Sequence, residues 1–253
     1  MGCNNGKNKQ KQISSPNNQQ DILPQRNQTE NGNKLPVENK HLSEAEKQEK
    51  LEDELRQKNE RNRERLKKLK GEEPEDKFLT DIEGKTTYGF SYITISDEKA
   101  KKIAENLENN QILKTVEFYS NDLSDEGVKY LCGALEKNKT LTSFTLQANN
   151  VSDQGIKYLA AALEQNQTLN RLSLQENKMT DEGMKYLAEA LQKNRSLTWL
   201  NFTSNKITNI GAEYLVAALE QNTSLTDMIF FRTKIEQIWI DKIFEKLNRN
   251  LQK

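Results

Sequence analysis

From Leu113 the hydrophobic positions of the chain recur every 28 residues. Regular units open at Leu113, Leu141, Leu169 and Leu197, and a looser one runs from Leu225 to the end. A fainter unit, Lys85 to Ile112, keeps Tyr88, Phe90, Ile95, Ile103 and Leu107 in register, so the units are numbered 1 to 6 from Lys85. In units 2 to 5 the residues at places 1, 4, 6, 11, 19, 22 and 23 are always apolar, as in Leu169, Leu172, Leu174, Met179, Leu187, Ala190 and Leu191. Places 4 and 6 alternate as a strand does, whereas places 18, 19, 22 and 23 recur as one face of a helix does. Each unit therefore predicts one short strand followed by one helix, and the fixed period predicts a solenoid.

The polar positions are equally regular. Place 9 is Asn121, Asn149, Asn177 and Asn205, and place 15 is Gly127, Gly155, Gly183 and Gly211. An asparagine amide both donates and accepts, so at place 9 it is suited to backbone groups buried between successive coils. The glycine lets the start of each helix approach its neighbour. Ser124, Ser152, Thr180 and Thr208 stand where helix N-caps belong. Asn138, Asn166, Asn194 and Asn222 fall at the helix ends, where a left-handed C-cap is expected. Parallel strands lie about 4.8 Å apart and packed helices about 8 to 10 Å. A stack of such units bends into an open arc with strands inside.

These residues resemble the ribonuclease-inhibitor-like subfamily of leucine-rich repeats, whose unit reads LxxLxLxxNxLxDxGxxxLAxAL. The resemblance covers residues 85–253 and is densest over 113–224. It implies an α/β fold, a leucine-rich-repeat solenoid of about six 28-residue strand-helix units. It further implies a binding scaffold; some members of the wider family belong to innate immune receptors or GTPase-activating proteins. Unit 6 departs from the pattern, with Thr233 for the asparagine and Trp239 for the glycine, and reads as a C-terminal capping unit over 225–253.

On the strands, the residues between core places face the inside of the arc. Most are small and neutral. Glu117, Tyr119, Gln147, Gln175 and Asn201 offer larger polar groups, and Arg171, Trp199, Phe231 and Arg232 gather toward the C-terminal half. Trp and Arg dominate binding hot spots, so these nine residues form the candidate protein-binding set. The alternative is that Trp199 and Phe231 pack on each other across adjacent strands. Tyr130, Tyr158, Tyr186 and Tyr214 recur at place 18 and are expected to pack between helices, with Cys132 as core filler.

Composition divides the rest of the chain. None of the 17 aromatic residues precedes Phe78, and residues 1–40 hold 15 Asn or Gln with seven apolar side chains, a composition expected to stay disordered. Residues 41–71 predict a charged helix, with a capping-box pair at Ser43 and Glu46 and Glu-to-Lys or Glu-to-Arg spacings of four. Its C-terminal half, 56–70, carries eight bases against two acids, which suits a coiled coil or a lipid or calmodulin-like partner as well as a solvated helix. Residues 72–84 form a linker and N-terminal cap.

The chain opens MGCNNGKNKQKQ, and this start resembles the dual-acylation signal MGCxxSK, with Gly6 at the place of the serine. Gly2 is the residue that accepts myristate and Cys3 is placed for palmitate. Lys7, Lys9 and Lys11 add attraction to anionic lipid. One acyl chain holds a protein only marginally, so the paired signal is what predicts a tether.

Formal net charge is zero, which disfavours a nucleic-acid partner. Two cysteines make neither a disulfide framework nor a metal site, and no catalytic constellation, cofactor site or metal cluster emerges. The Asn-x-Ser/Thr sequences mostly follow the repeat, and no secretory leader is recognised, so a cytoplasmic monomer is expected, peripheral on a membrane's inner face. The expected function is a non-enzymatic adaptor that takes a protein on its inner face. The competing reading is a soluble structural protein assembling through the charged helix; a GTPase-activating module is a third.

Overall fold

The computed structural model describes residues 84–252, together with Gln57 and Arg61, where Arg61 Nε donates to the Gln57 carbonyl at 3.3 Å. The acylation residues, the Asn/Gln-rich tail and most of the charged helix lie outside the described residues. The repeat itself folds as strand then helix six times. The strands are β1 (Thr87–Ser91), β2 (Thr115–Tyr119), β3 (Ser143–Thr145), β4 (Arg171–Ser173), β5 (Trp199–Asn201) and β6 (Asp227–Ile229). The helices are α1 (Asp97–Asn109), α2 (Asp125–Lys137), α3 (Asp153–Gln165), α4 (Asp181–Lys193), α5 (Asn209–Leu219) and α6 (Gln237–Leu251).

The sheet is parallel throughout, in the order β1-β2-β3-β4-β5-β6, and each residue pairs with the one 28 further on, as Phe144 with Leu172 and Leu172 with Leu200. One apolar core runs between strands and helices. Leu113, Val116, Phe118, Leu146, Leu172, Leu174, Leu200 and Phe202 are all fully buried. Aromatic stacking continues it to both ends, with Phe90 on Phe118 at 5.0 Å and Phe202 on Phe230 at 5.4 Å between ring centroids.

Three polar ladders join the coils. In the first, the place-9 asparagines do what the sequence predicts. Asn177 Nδ2 donates to the Leu146 carbonyl at 2.8 Å in the preceding coil, and its Oδ1 accepts from Val151 N–H at 3.1 Å. Asn149 and Asn205 repeat the pattern, and the ladder ends at Asn121, whose Oδ1 is buried without a partner among the described residues.

The second ladder corrects an expectation. Asn138 sits at φ −65°, ψ 133°, and Asn166 and Asn194 are extended likewise, so the left-handed C-cap is not what selects asparagine. Asn222 serves the same contacts: its Nδ2 donates to the Leu191 and Asn194 carbonyls, and its Oδ1 accepts from Ser224 and Leu225 N–H. The amide thus closes the turn from helix to strand and holds the previous coil. All four of these asparagines are fully buried.

The third ladder was not anticipated. The aspartate that opens α2, α3 and α4 reaches forward to the N-cap of the next helix. Asp153 accepts from Thr180 N–H at 2.7 Å, Thr180 Oγ1–H at 2.6 Å and Gly183 N–H at 3.0 Å. Asp125 and Asp181 reach Ser152 and Thr208 in the same way. This carboxylate is the reason for the glycine at place 15: a Cβ on Gly155 would lie 2.5 Å from Asp125 Oδ1.

Place 8, just after each strand, is left-handed in every unit without a single glycine: Tyr92, Ser120, Ala148, Glu176, Ser204 and Arg232 have φ between 54° and 59°. In units 1 to 5 its N–H pairs with the following coil, as in Ala148 N–H to the Gln175 carbonyl at 2.9 Å.

Candidate protein-binding face

The strands present their alternate residues in columns on the inner face, one column for each of places 3, 5 and 7. A groove of about 380 Å³ runs across β1 to β5 there, and six of the nine predicted residues line it: Glu117, Tyr119, Gln147, Arg171, Trp199 and Asn201. The other lining groups are Ser91, Ser143, Thr145 and Ser173, so the groove is walled by hydroxyls and amides, and Glu117 and Arg171 supply the charge in its lining.

At one end Glu117 is exposed and leans over Gly89, whose lack of a side chain leaves its carboxylate room. Tyr119 stands edge-on to Tyr92 at 4.9 Å. Burial, and then a hydrogen bond with Tyr92, push the Tyr119 hydroxyl well above the ordinary tyrosine pKa, so it stays protonated. At the other end the Arg171 guanidinium carbon lies over the Trp199 ring, 4.2 Å from its centroid. Trp199 is therefore stacked on the cation of the preceding strand, while Phe231 is 75% exposed. Arg171 is exposed, and no carboxylate pairs with it among the described residues. A guanidinium stacked in this way keeps its in-plane N–H donors free for a carboxylate or a carbonyl.

Two predicted residues are already engaged. Asn201 is buried, its Nδ2 donating to Gln175 Oε1 at 3.1 Å and its Oδ1 accepting from Thr203 N–H at 2.9 Å. Gln175 in turn donates to Glu176 Oε1 at 2.8 Å. Asn201 thus shapes the groove floor more than it offers free groups, and Gln175 braces it from outside the lining. Gln175, Phe231 and Arg232 lie outside the groove proper; Phe231 and Arg232 stand exposed beyond its Trp199 end.

Of the place-18 tyrosines, Tyr130, Tyr158 and Tyr186 pack against the core, with Lys129 over Tyr158 and Lys157 over Tyr186, whereas Tyr214 departs from the expectation and stands exposed. Cys132 is buried, and burial raises its thiol pKa. Among the described residues no three His, Cys, Asp or Glu side chains are disposed to hold a metal ion, and no helix is long and apolar enough to cross a membrane.

Comparison with known proteins agrees with this architecture. Residues 144–237, which carry Arg171, Trp199 and Phe231, match the family model described as the TMOD/LMOD leucine-rich domain, and residues 109–132 match a leucine-rich-repeat model. Among solved structures, that of leiomodin-1 actin-binding site 2 is 24% identical with a TM-score of 0.54, over 60% of this chain and 88% of that one. The C-terminal domain of tropomodulin from Caenorhabditis elegans is 21% identical with a TM-score of 0.54, over 60% of this chain and 93% of that one. At such identities the likeness establishes the fold. No curated protein sequence matches the chain.

Proposed function

We propose, from the premise that this chain is a leucine-rich-repeat protein, that it is a non-catalytic interaction scaffold holding a partner protein on its inner face. The observation that carries this reading is the Arg171–Trp199 stack at 4.2 Å, open to solvent at the edge of a groove walled by neutral donors and acceptors. A rigid aromatic backed by a cation is the composition of a hot spot, and a solvent-facing Trp at this place has no part in the core. Actin is the first candidate partner. The family match spans the same units, and the leiomodin-1 segment that shares this fold is named as an actin-binding site.

The scaffold is further proposed to be tethered on a membrane's cytoplasmic face through myristoyl-Gly2 and palmitoyl-Cys3, aided by Lys7, Lys9 and Lys11. Such a tether raises the local concentration of the binding face without adding a contact.

Actin binding is tested by sedimentation with filaments and by titration with monomers, using the full chain and Trp199→Ala. Binding weakened about tenfold or more by the substitution, with unchanged thermal stability, is the expected result; equal binding by both proteins would remove the inner face from the proposal. Retention of the wild type with membranes and release of Gly2→Ala into the soluble fraction is the matching test of the tether. Identical fractionation of the two would end it.

A further inference from the structure

The outer surface of the helices changes character in the last two units. In units 1 to 4 place 14 is Glu98, Glu126, Gln154 and Glu182, and place 17 is Lys101, Lys129, Lys157 and Lys185. These residues face water one turn apart, and Glu126 and Lys129 pair at 2.9 Å. In units 5 and 6 the same places hold Ile210 with Glu213 and Ile238 with Asp241. The acid has become an isoleucine and the lysine has become an acid, twice in succession.

Both isoleucines stand in the open, Ile210 at 59% and Ile238 at 60% exposure, with Tyr214 beside them at 38%. They are absent from the core, which the neighbouring Gly211, Ala212, Leu215 and Ile243 complete without them. Glu213 and Asp241 are exposed, and among the described residues no lysine or arginine pairs with either; Asp241 accepts from Gln237 Nε2 at 2.8 Å. The cations on α6 are committed elsewhere. Lys242 lies over the Trp239 ring at 4.2 Å, and Lys246 and Arg249 are held by Glu220. The result is an apolar strip bordered by two carboxylates that have no ion-pair partner among the described residues.

We propose that this strip across the first turns of α5 and α6 is a second docking site, and that its occupant is a basic amphipathic helix of a partner protein. Neighbouring helices pack about 8 to 10 Å apart, which sets the separation of the two isoleucines. A helix advances about 10.5 Å over seven residues, so one laid across α5 and α6 brings apolar residues at i, i+3 or i+4, and i+7 onto Ile210, Tyr214 and Ile238. That is the helix-in-groove mode of recognition. Glu213 and Asp241 then face the flanks of the incoming helix, where lysine or arginine is required and glutamate is excluded.

The site is on the helical surface and does not depend on what occupies the inner face. The repeat supplies its own control. Ile210→Glu, Glu213→Lys, Ile238→Glu and Asp241→Lys together restore the residue types of units 1, 2 and 4, so the variant is expected to fold with the wild-type melting temperature.

The probe is a phage-displayed library of amphipathic helices with randomised flanking positions, selected on the immobilised full chain and, in parallel, on this fourfold variant. Helices rich in Lys and Arg beside the apolar stripe are expected on the wild type, with affinity for the variant reduced about tenfold or more. Enrichment of acidic or neutral flanks, equal recovery on both proteins, or no enrichment at all would overturn the proposal. So would sedimentation equilibrium showing a wild-type dimer that the fourfold variant abolishes, because the strip would then belong to a second copy of the chain.

Discussion

Removing the amide of Asn177 is the most direct test of how the coils are joined. In Asn177→Ala, Val151 N–H loses its acceptor at 3.1 Å and the Leu146 carbonyl loses its donor at 2.8 Å. Val151 and Leu146 are fully buried and Asn177 itself is 8% exposed, so water is not at hand to replace the amide. A buried group left without its partner costs about 1 to 3 kcal/mol, and two such groups give about 2 to 6 kcal/mol. That is a large share of the roughly 5 to 15 kcal/mol that stabilises a domain. Asn177→Asp keeps the acceptor for Val151 but turns a carboxylate toward carbonyl oxygens, and is expected to be at least as damaging. Asn121→Ala provides the internal comparison, because the Asn121 Oδ1 has no partner to lose and its Nδ2 donates to the Ile93 carbonyl alone, at 3.1 Å. Urea denaturation of the full chain measures all three. The midpoint of Asn177→Ala is expected to fall by about 1 to 3 M, taking a slope near 2 kcal/mol per molar, and that of Asn121→Ala by clearly less. A loss under about 0.5 kcal/mol for Asn177→Ala, the range of an inconsequential surface change, would refute the reasoning. So would an Asn121→Ala loss that equals or exceeds it.

Three further outcomes follow from the same geometry. Ala148→Gly relieves a left-handed alanine at φ 54°, which costs about 1 to 2 kcal/mol, and is expected to raise the melting temperature despite glycine's greater unfolded freedom; a lower melting temperature would contradict it. Gly155→Ala puts a methyl 2.5 Å from Asp125 Oδ1 and 2.7 Å from Val151 Cγ1, and calorimetry is expected to register a loss of about 1 to 3 kcal/mol. Cys132, buried with its thiol pKa raised by desolvation first and by Glu136 second, is expected to resist a thiol reagent until the chain unfolds. Its contribution to stability is full below the ordinary thiol pKa of about 8.5 and is lost as pH rises toward the raised folded value. Rapid labelling of Cys132 in folded protein at pH 8 would show that the burial is wrong.

The repeat was legible because its determinants are local. The apolar phase, the N-cap hydroxyls, the asparagine at place 9 and the glycine at place 15 each answer to geometry within one coil or its nearest neighbour. What escaped were ties to a neighbouring coil made by residue types that already had a ready local explanation. The asparagines at the helix ends suggested a left-handed turn, but the backbones of Asn138, Asn166 and Asn194 are extended and the amides of all four serve the coil before. The first-turn aspartates gave no sign of a distant partner, but they bind the next N-cap. The left-handed residue at place 8 left no trace, since Tyr, Ser, Ala, Glu and Arg all occupy it. On the inner face, strand alternation was enough to assign residues to columns. It did not reveal that Asn201 and Gln175 bond each other, or that Arg171 is the residue lying on Trp199.

The strict succession of the strands has a consequence for how such a molecule changes over generations. The asparagine ties between coils join residues 26 to 31 places apart along the chain, and among the described residues they stop at the adjoining coil. Splicing in or deleting one segment of 28 residues would therefore leave every surviving joint as it was. The span of the array is a quantity that gene duplication can adjust in whole steps, while the recipe for a single coil stays fixed.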